Sequence, residues 1–272
     1  MSAAPRTEPR TLAPPERRTA RVTSVERLGA YRLITALDAE GPPDPRPGQF
    51  YMLAAAERWG GGGDERPYLP RAFSHARARE GRLAFLLAAV GPGTERLAEL
   101  RKGEGLHLVG PLGVGWRPGP RPILVGGGIG VAPLLCLQDD LGPEHPVLLG
   151  FRSAPHAEAA SLFAGGVRLA TDDGSAGRRA LVTDLLREQL DGGPDATVFA
   201  CGPPAMLEAV RALCAERGVP AQLALESGMA CGYGACFGCV VPTKAGYVRL
   251  CVDGPVLDAD ALDTALFPGA GH

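Results

Sequence analysis

A chain of 272 residues, 45% hydrophobic and 21% charged, has the length for two compact domains and a small appendage. Its formal net charge of -2 and pI near 6.2 leave no basic footprint for nucleic acid. The longest apolar run, Leu83 to Val90, is far too short to cross a bilayer. Residues 1–18 are rich in Pro and Arg and poor in apolar side chains, which predicts a disordered tail and no secretory leader, so the default is a soluble cytoplasmic protein. From Thr19, short alternating runs predict strands around 20–25, 31–37, 49–53, 83–88 and 105–109, separated by turn clusters such as Gly41-Pro-Pro-Asp-Pro-Arg-Pro-Gly. That rhythm reads as an antiparallel barrel. Trp59 to Pro67, with its four consecutive glycines, reads as a flexible insertion. After a Gly/Pro-rich boundary at 116–120, apolar strands near 122–126, 147–152, 167–171 and 197–202 alternate with helices near 133–141, 180–190 and 204–217. Such alternation predicts a parallel α/β sheet covered on both faces.

The most specific stretch lies near the C-terminus. Cys231, Cys236 and Cys239 are separated by four and two residues, and eleven more residues separate Cys239 from Cys251. The spacing matches the plant-type pattern for a [2Fe–2S] cluster. Gly232, Gly234 and Gly238 suit a loop whose backbone must wrap a small inorganic core. A Zn site or a disulfide pair is the alternative, although structural Zn sites usually pair their cysteines in two short C-x2-C units. Cys136 and Cys214 sit in apolar helical patterns and read as small buried hydrophobes.

Two weaker signals concern anions. Gly126, Gly127, Gly128 and Gly130 follow a predicted strand and precede a helix, where backbone can approach a phosphate, although Val131 spoils a G-x-G-x-x-G count begun at Gly126. Arg71 and Ser74 on one strand can meet a pyrophosphate and a flavin edge, and Gly93-Thr94 at a helix start offers hydrogen-bonding groups to phosphate. Read alone, these residues fit equally a surface Arg and an ordinary helix cap.

Taken together, the motifs resemble the ferredoxin-reductase-like flavoproteins, most closely the electron-transfer subunits of class 1B dihydroorotate dehydrogenase. The resemblance rests on Arg71-Ala72-Phe73-Ser74, Gly93-Thr94, Gly126-Gly-Gly-Ile-Gly-Val-Ala-Pro133, Thr171-Asp-Asp-Gly174, Cys201-Gly202-Pro203 and the cysteine loop with Cys251-Val-Asp-Gly-Pro. It implies an antiparallel FAD-binding β-barrel over 19–118, a parallel-sheet NAD-binding α/β domain over 119–222 and a small [2Fe–2S] segment over 223–272. Flavin contacts are then expected at Arg71, Ala72, Phe73, Ser74, Leu86, Leu87, Ala88, Gly93 and Thr94, and NAD contacts at Gly126, Gly127, Gly128, Gly130, Cys201, Gly202 and Pro203. The cluster ligands would be Cys231, Cys236, Cys239 and Cys251. Two departures bear on flavin affinity: Ala72 stands where the family has Pro, and Leu86-Leu87-Ala88 lacks the usual aromatic or basic side chain.

The implied function is electron transfer between NAD and an FMN-containing dihydroorotate dehydrogenase catalytic subunit, in a heterotetramer serving pyrimidine biosynthesis. A flavin is needed between NADH, a two-electron donor, and a one-electron cluster. The alternatives are a reductase subunit of a hydrogenase or NADPH–ferredoxin complex, and a cluster-binding scaffold with a degenerate flavin site. Cys201 reads either as a packed strand-end thiol or as a group near the nicotinamide. Glu226 reads as a salt-bridge or helix-end residue, and His75 as a solvated histidine. Tyr233 and Phe237 are expected to face the partner.

Overall fold

The computed structural model describes residues 16–42, 45–57, 59, 69–193 and 195–271. Residues 1–15 of the tail expected over 1–18, and most of the glycine-rich insertion, lie outside the described residues. Arg17 and Arg18, counted with the tail, instead begin the first strand.

Seven antiparallel strands form the first sheet: β1 (Arg17–Leu28), β2 (Tyr31–Leu37), β3 (Phe50–Ala55), β4 (Arg71–Ser74), β5 (Arg77–Arg79), β6 (Arg82–Leu87) and β7 (Gly105–Leu112). Helix α1 (Pro92–Ala98) joins β6 to β7. The strand order is β4-β3-β7-β1-β2-β6-β5. Strands β4 and β5 stand at opposite ends of that order, yet only His75 and Ala76 separate them in sequence. Two intervening residues let the strand ends stand at most about 10 Å apart, so the sheet has to curl until its ends approach. The sheet is thereby rolled into the expected barrel, with no ladder pairing β4 to β5 among the described residues. Its interior shows the period of two that pleating requires, with Ile34 and Ala36, Tyr51, Leu53 and Ala55, Phe85 and Leu87, and Leu106 and Leu108 in one core.

The corner at His75 corrects the sequence reading. A histidine beside a polar Ser reads as solvated, but the curl of the barrel turns the ring inward until it is fully buried. Its Nδ1 lies 3.2 Å from Gln49 O, its edge meets Tyr51, and Nε2 has no protein partner. Desolvation pushes its pKa down to about 4. Between about pH 6.5 and 4 the unfolded chain therefore holds a proton that the folded chain refuses, so stability is complete above 6.5 and declines as pH falls. The full loss amounts to about 3 kcal/mol. Thermal melts of His75→Leu across this window are expected to show a shallower pH dependence than wild type, and parallel curves would refute the assignment.

The second sheet alternates strand and helix: β8 (Pro122–Gly127), a 3-10 turn (Gly128–Val131), α2 (Ala132–Leu141), β9 (Val147–Phe151), α3 (Ala154–Ala157), β10 (Val167–Thr171), β11 (Arg178–Arg179), α4 (Val182–Leu190), β12 (Thr197–Cys201), α5 (Pro204–Arg217) and β13 (Ala221–Ala224). Pro204 starts α5 and Gly218, in the left-handed region, ends it, the usual asymmetry of helix termini. Around β8 the parallel order is β10-β9-β8-β12-β13, so the chain reverses its winding between β8 and β12.

The C-terminal segment holds the hairpin β14 (Val240–Thr243) and β15 (Gly246–Arg249), α6 (Leu250–Asp253) and β16 (Val256–Asp258). Strand β16 pairs antiparallel with β13, so the cysteine segment supplies the edge strand of the α/β sheet. The expected boundary between 222 and 223 thus falls inside β13. Beyond β16, Ala265 N–H and Thr264 Oγ1 donate to Glu208 Oε2 on α5 at 2.6 and 3.0 Å, which ties the last segment down. The linker between the sheets is fixed as well: Arg117 exchanges backbone hydrogen bonds with the Gln222 side chain, and Trp116 meets Phe199 edge to face. Among the described residues no helix is long and apolar enough to cross a membrane.

Candidate functional site

A cleft of about 450 Å³ opens where all three parts meet, a volume within the range of cofactor sites. The barrel contributes Phe50, Arg71 to Ser74, Leu86, Ala88 and Val90 to Thr94. Ile129, Gly130, Ala132, Pro133, Cys201 and Leu225 come from the α/β side, and Glu226, Ser227, Met229, Pro255 and Gly271 from the cysteine segment.

Strand β4 aims its polar groups at one end of this cleft. Arg71 Nη1 donates to Leu69 O at 2.6 Å, and the guanidinium lies across Gly93, where a Cβ would stand 2.6 Å from Arg71 Nε. Only glycine at 93 leaves the arginine that position, and a fixed guanidinium fork suits a phosphate. The Ser74 hydroxyl has no protein partner among the described residues and borders the same cleft. Thr94 differs from expectation: its hydroxyl accepts from the Val90 and Gly91 amides at 2.9 and 3.1 Å and donates to Gly91 O, so it shapes the turn. Within Leu86-Leu87-Ala88, pleating sends Leu86 and Ala88 to the cleft and Leu87 into the barrel core. The polar and apolar division of these walls fits a flavin dinucleotide.

The glycine turn after β8 meets the turn after β12. A Cβ on Gly130 would come within 2.6 Å of Gly202 N and 2.7 Å of Cys201 C, and one on Gly127 within 2.4 Å of Met206 Sδ. These glycines therefore serve close packing between two loops at the reversal point of the sheet, the place where open α/β sheets bind ligands. Gly130 and Cys201 reach the cleft, while Gly126, Gly127, Gly128, Gly202 and Pro203 lie behind or beside that wall. Cys201 is a packed strand-end thiol that also borders the cleft, and burial pushes its pKa well up so that it remains a thiol.

Glu226 corrects a second reading. It makes no ion pair among the described residues and instead opens into the cleft opposite Cys201, where desolvation raises its carboxyl pKa. The C-terminal backbone closes this wall: Gly271 N–H donates to Glu226 O at 3.3 Å, and Ala270 bridges Ser227. Sequence reasoning gave Glu226 a structural role because the contact that places it comes from residues about forty positions later.

The cysteine loop packs directly behind this wall. Gly232 and Gly234 have φ of +82° and +88°, and a Cβ on Gly232 would strike Met52 Cγ at 2.5 Å. Cys239 Sγ and Cys251 Sγ approach to 3.1 Å, and Cys236 N–H points at Cys231 Sγ from 3.4 Å. Cys239 and Cys251 thus form one close pair of thiols, with Cys231 and Cys236 on the same loop, and four cysteines gathered by one segment suit a [2Fe–2S] core. Burial works to raise Cys231, but amides of Cys236, Tyr233 and Ala235 outweigh it and hold the thiol at about 7, near the ionised state a ligand needs. Cys239 and Cys251 are buried and Cys236 is exposed. Phe237 stands out with φ of +59°, rare for a bulky residue. Arg249 holds it, with its guanidinium 5.1 Å from the ring centroid and Nη1 bound to Gly234 O at 2.9 Å. Tyr233 and Phe237 project outward, 49% and 62% exposed.

Comparison with known proteins agrees with this architecture. Residues 226–263 match the model of the iron–sulfur cluster binding domain of dihydroorotate dehydrogenase B. The electron transfer subunit of dihydroorotate dehydrogenase B (NAD(+)) from Clostridium acetobutylicum is 36% identical over 82% of this chain and 88% of its own length. Its counterpart from Caldanaerobacter subterraneus subsp. tengcongensis is 34% identical over 89% and 96%. Among solved structures, a chain of an NADH-dependent reduced ferredoxin–NADP oxidoreductase superposes with a TM-score of 0.74 at 23% identity, covering 90% of each chain, which establishes the shared fold. The barrel, the α/β sheet and the cysteine segment follow one another in the expected order, and relatives at this identity span nearly the whole chain: the protein belongs to the family of dihydroorotate dehydrogenase B electron-transfer subunits.

Proposed function

We propose that this chain relays electrons between NAD(H) and an FMN-containing dihydroorotate dehydrogenase catalytic subunit, with FAD in the cleft and a [2Fe–2S] cluster on Cys231, Cys236, Cys239 and Cys251. The observation that carries the reading is contiguity. Phe50 lines the cleft and Met52, two residues along β3, supports Gly232 of the cysteine loop. Met229 also lines the cleft, and Cys231 follows two residues later. Either path spans about 7 Å of backbone.

Flavin supplies the exchange between two-electron and one-electron chemistry, and the cluster supplies the one-electron outlet. The protein residues do the rest. Arg71 and Ser74 would hold the flavin dinucleotide, Leu86 and Phe50 would exclude water from its rings, and the Gly130–Gly202 contact would shape the wall that receives nicotinamide. Burial raises the pKa of the Cys201 thiol, which would stand as a neutral wall of the cleft beside the nicotinamide. On the far side, Tyr233 and Phe237 offer aromatic area around the exposed Cys236 for the catalytic subunit, in a heterotetramer of two copies of each chain in the cytoplasm. The hydrogenase and NADPH–ferredoxin alternatives are not favoured, since the relatives above belong to dihydroorotate dehydrogenase.

The test is optical. Purified protein is expected to carry flavin and iron–sulfur absorbance and to bleach on addition of NADH. A colourless protein would overturn the reading, and cluster absorbance without flavin would favour the scaffold alternative.

A further inference from the structure

Tyr31 opens β2 of the barrel, yet its side chain serves the other domain. The turn before it docks on the segment that follows β9: Ala30 N–H donates to Pro155 O at 2.9 Å, and Gly29 fits so closely that a Cβ would lie 1.9 Å from the same oxygen. Tyr31 is thereby inserted between the domains, 3% exposed and edge-on to His156 with ring centroids 5.7 Å apart. It shares a core with Val131, Phe151 and Ala157.

At its far end the phenol reaches the glycine turn. Gly128 has φ of +55°, and on the side where a Cβ would project, the Tyr31 hydroxyl at 4.0 Å is the nearest atom among the described residues. That hydroxyl has no protein hydrogen-bond partner among the described residues, nor is it sealed among the buried unsatisfied groups. Burial, opposed by the charge of Arg152, pushes its pKa up to about 12, so it remains a donor at neutral pH. Arg152 directly follows β9 and makes no ion pair among the described residues. A phenol, a guanidinium and the glycine backbone, all donors, thus gather at the C-terminal ends of β8 and β9. A diphosphate offers only acceptors and negative charge.

We propose that Tyr31 is a pyridine-dinucleotide contact, its hydroxyl donating to the diphosphate of NAD(H) above Gly128, so that the barrel helps to bind the second substrate as well as flavin. The proposal rests on the reading that the β8 turn receives NAD(H). It also explains why the β1–β2 turn is clamped to Pro155: the clamp fixes the reach of the phenol.

Tyr31→Phe keeps the ring and removes only the oxygen. Calorimetric titration of the FAD-loaded complex with ADP-ribose, which carries the diphosphate, and with nicotinamide mononucleotide, which does not, separates the roles. ADP-ribose is expected to bind about tenfold more weakly to the variant, with mononucleotide affinity and melting temperature unchanged. ADP-ribose affinity equal to wild type, in protein whose flavin NADH still bleaches, would overturn this contact alone. Equal weakening of both ligands would assign Tyr31 to packing and also overturn it. Wild-type protein that neither binds ADP-ribose nor bleaches with NADH would overturn the NAD(H) reading and this contact together.

Discussion

Cys236→Ser is expected to abolish the iron–sulfur absorbance and lower electron delivery to the catalytic subunit by on the order of 100-fold, while NADH still bleaches the flavin at nearly the wild-type rate. The asymmetry follows from placement. Cys236 is exposed on the outer side of the loop and accepts from Gly238 N–H at 3.4 Å, so its loss removes a soft thiolate without disturbing the cleft. Its hydroxyl replacement is a hard, weakly acidic donor, poorly matched to iron and sulfide. Iron content, visible absorbance and stopped-flow bleaching of one preparation check the three parts together. Undiminished cluster content would refute the ligand assignment, and loss of flavin bleaching would show that the two sites are not separable.

Gly130→Ala is expected to act on the opposite end of the relay. Gly130 lies outside the positive-φ region, so alanine meets no backbone strain. The obstacle is contact, because the new methyl would stand 2.6 Å from Gly202 N and 2.7 Å from Cys201 C. These are backbone atoms that cannot rotate away, so the β8 and β12 turns must part by a fraction of an ångström to about 1 Å. A displacement of that size at a reacting centre costs roughly 100-fold in rate. NADH-dependent bleaching is therefore expected to slow by one to two orders of magnitude, with flavin and cluster content retained. Bleaching at the wild-type rate would mean that this contact does not set the approach of nicotinamide.

How much of this was legible in the sequence depends on the range of the interaction. The cysteine loop could be read because its four positions and its glycines encode one local object, and the parallel sheet because strand–helix alternation is periodic. Arg71 and Gly93 were found as separate motifs, but the guanidinium lying over the glycine appears only once β4 and α1 are brought together. His75 was misread because the curl of the barrel, a constraint on strand order, buries a residue that in sequence merely follows a polar Ser. Glu226 was misread because Gly271 and Cys201, its surroundings in the cleft, are distant in sequence. Leu87 was grouped with Leu86 and Ala88 as one motif, yet the pleat sends it to the opposite face. Strand β16 gave little signal, being three residues long and dependent on β13 for its pairing. Tyr31 gave none, since an aromatic at a strand start is ordinary until a second domain stands beside it.

Electron relay through this chain requires a continuous path from one cofactor to the next. The most direct measurement is NAD reduction driven by dihydroorotate in a complex reconstituted from this chain and its FMN-containing catalytic subunit. The expected result is dihydroorotate-dependent formation of NADH that requires this chain and is lost with Cys236→Ser. NADH formation at an undiminished rate, by the catalytic subunit alone or by the complex carrying Cys236→Ser, would contradict it.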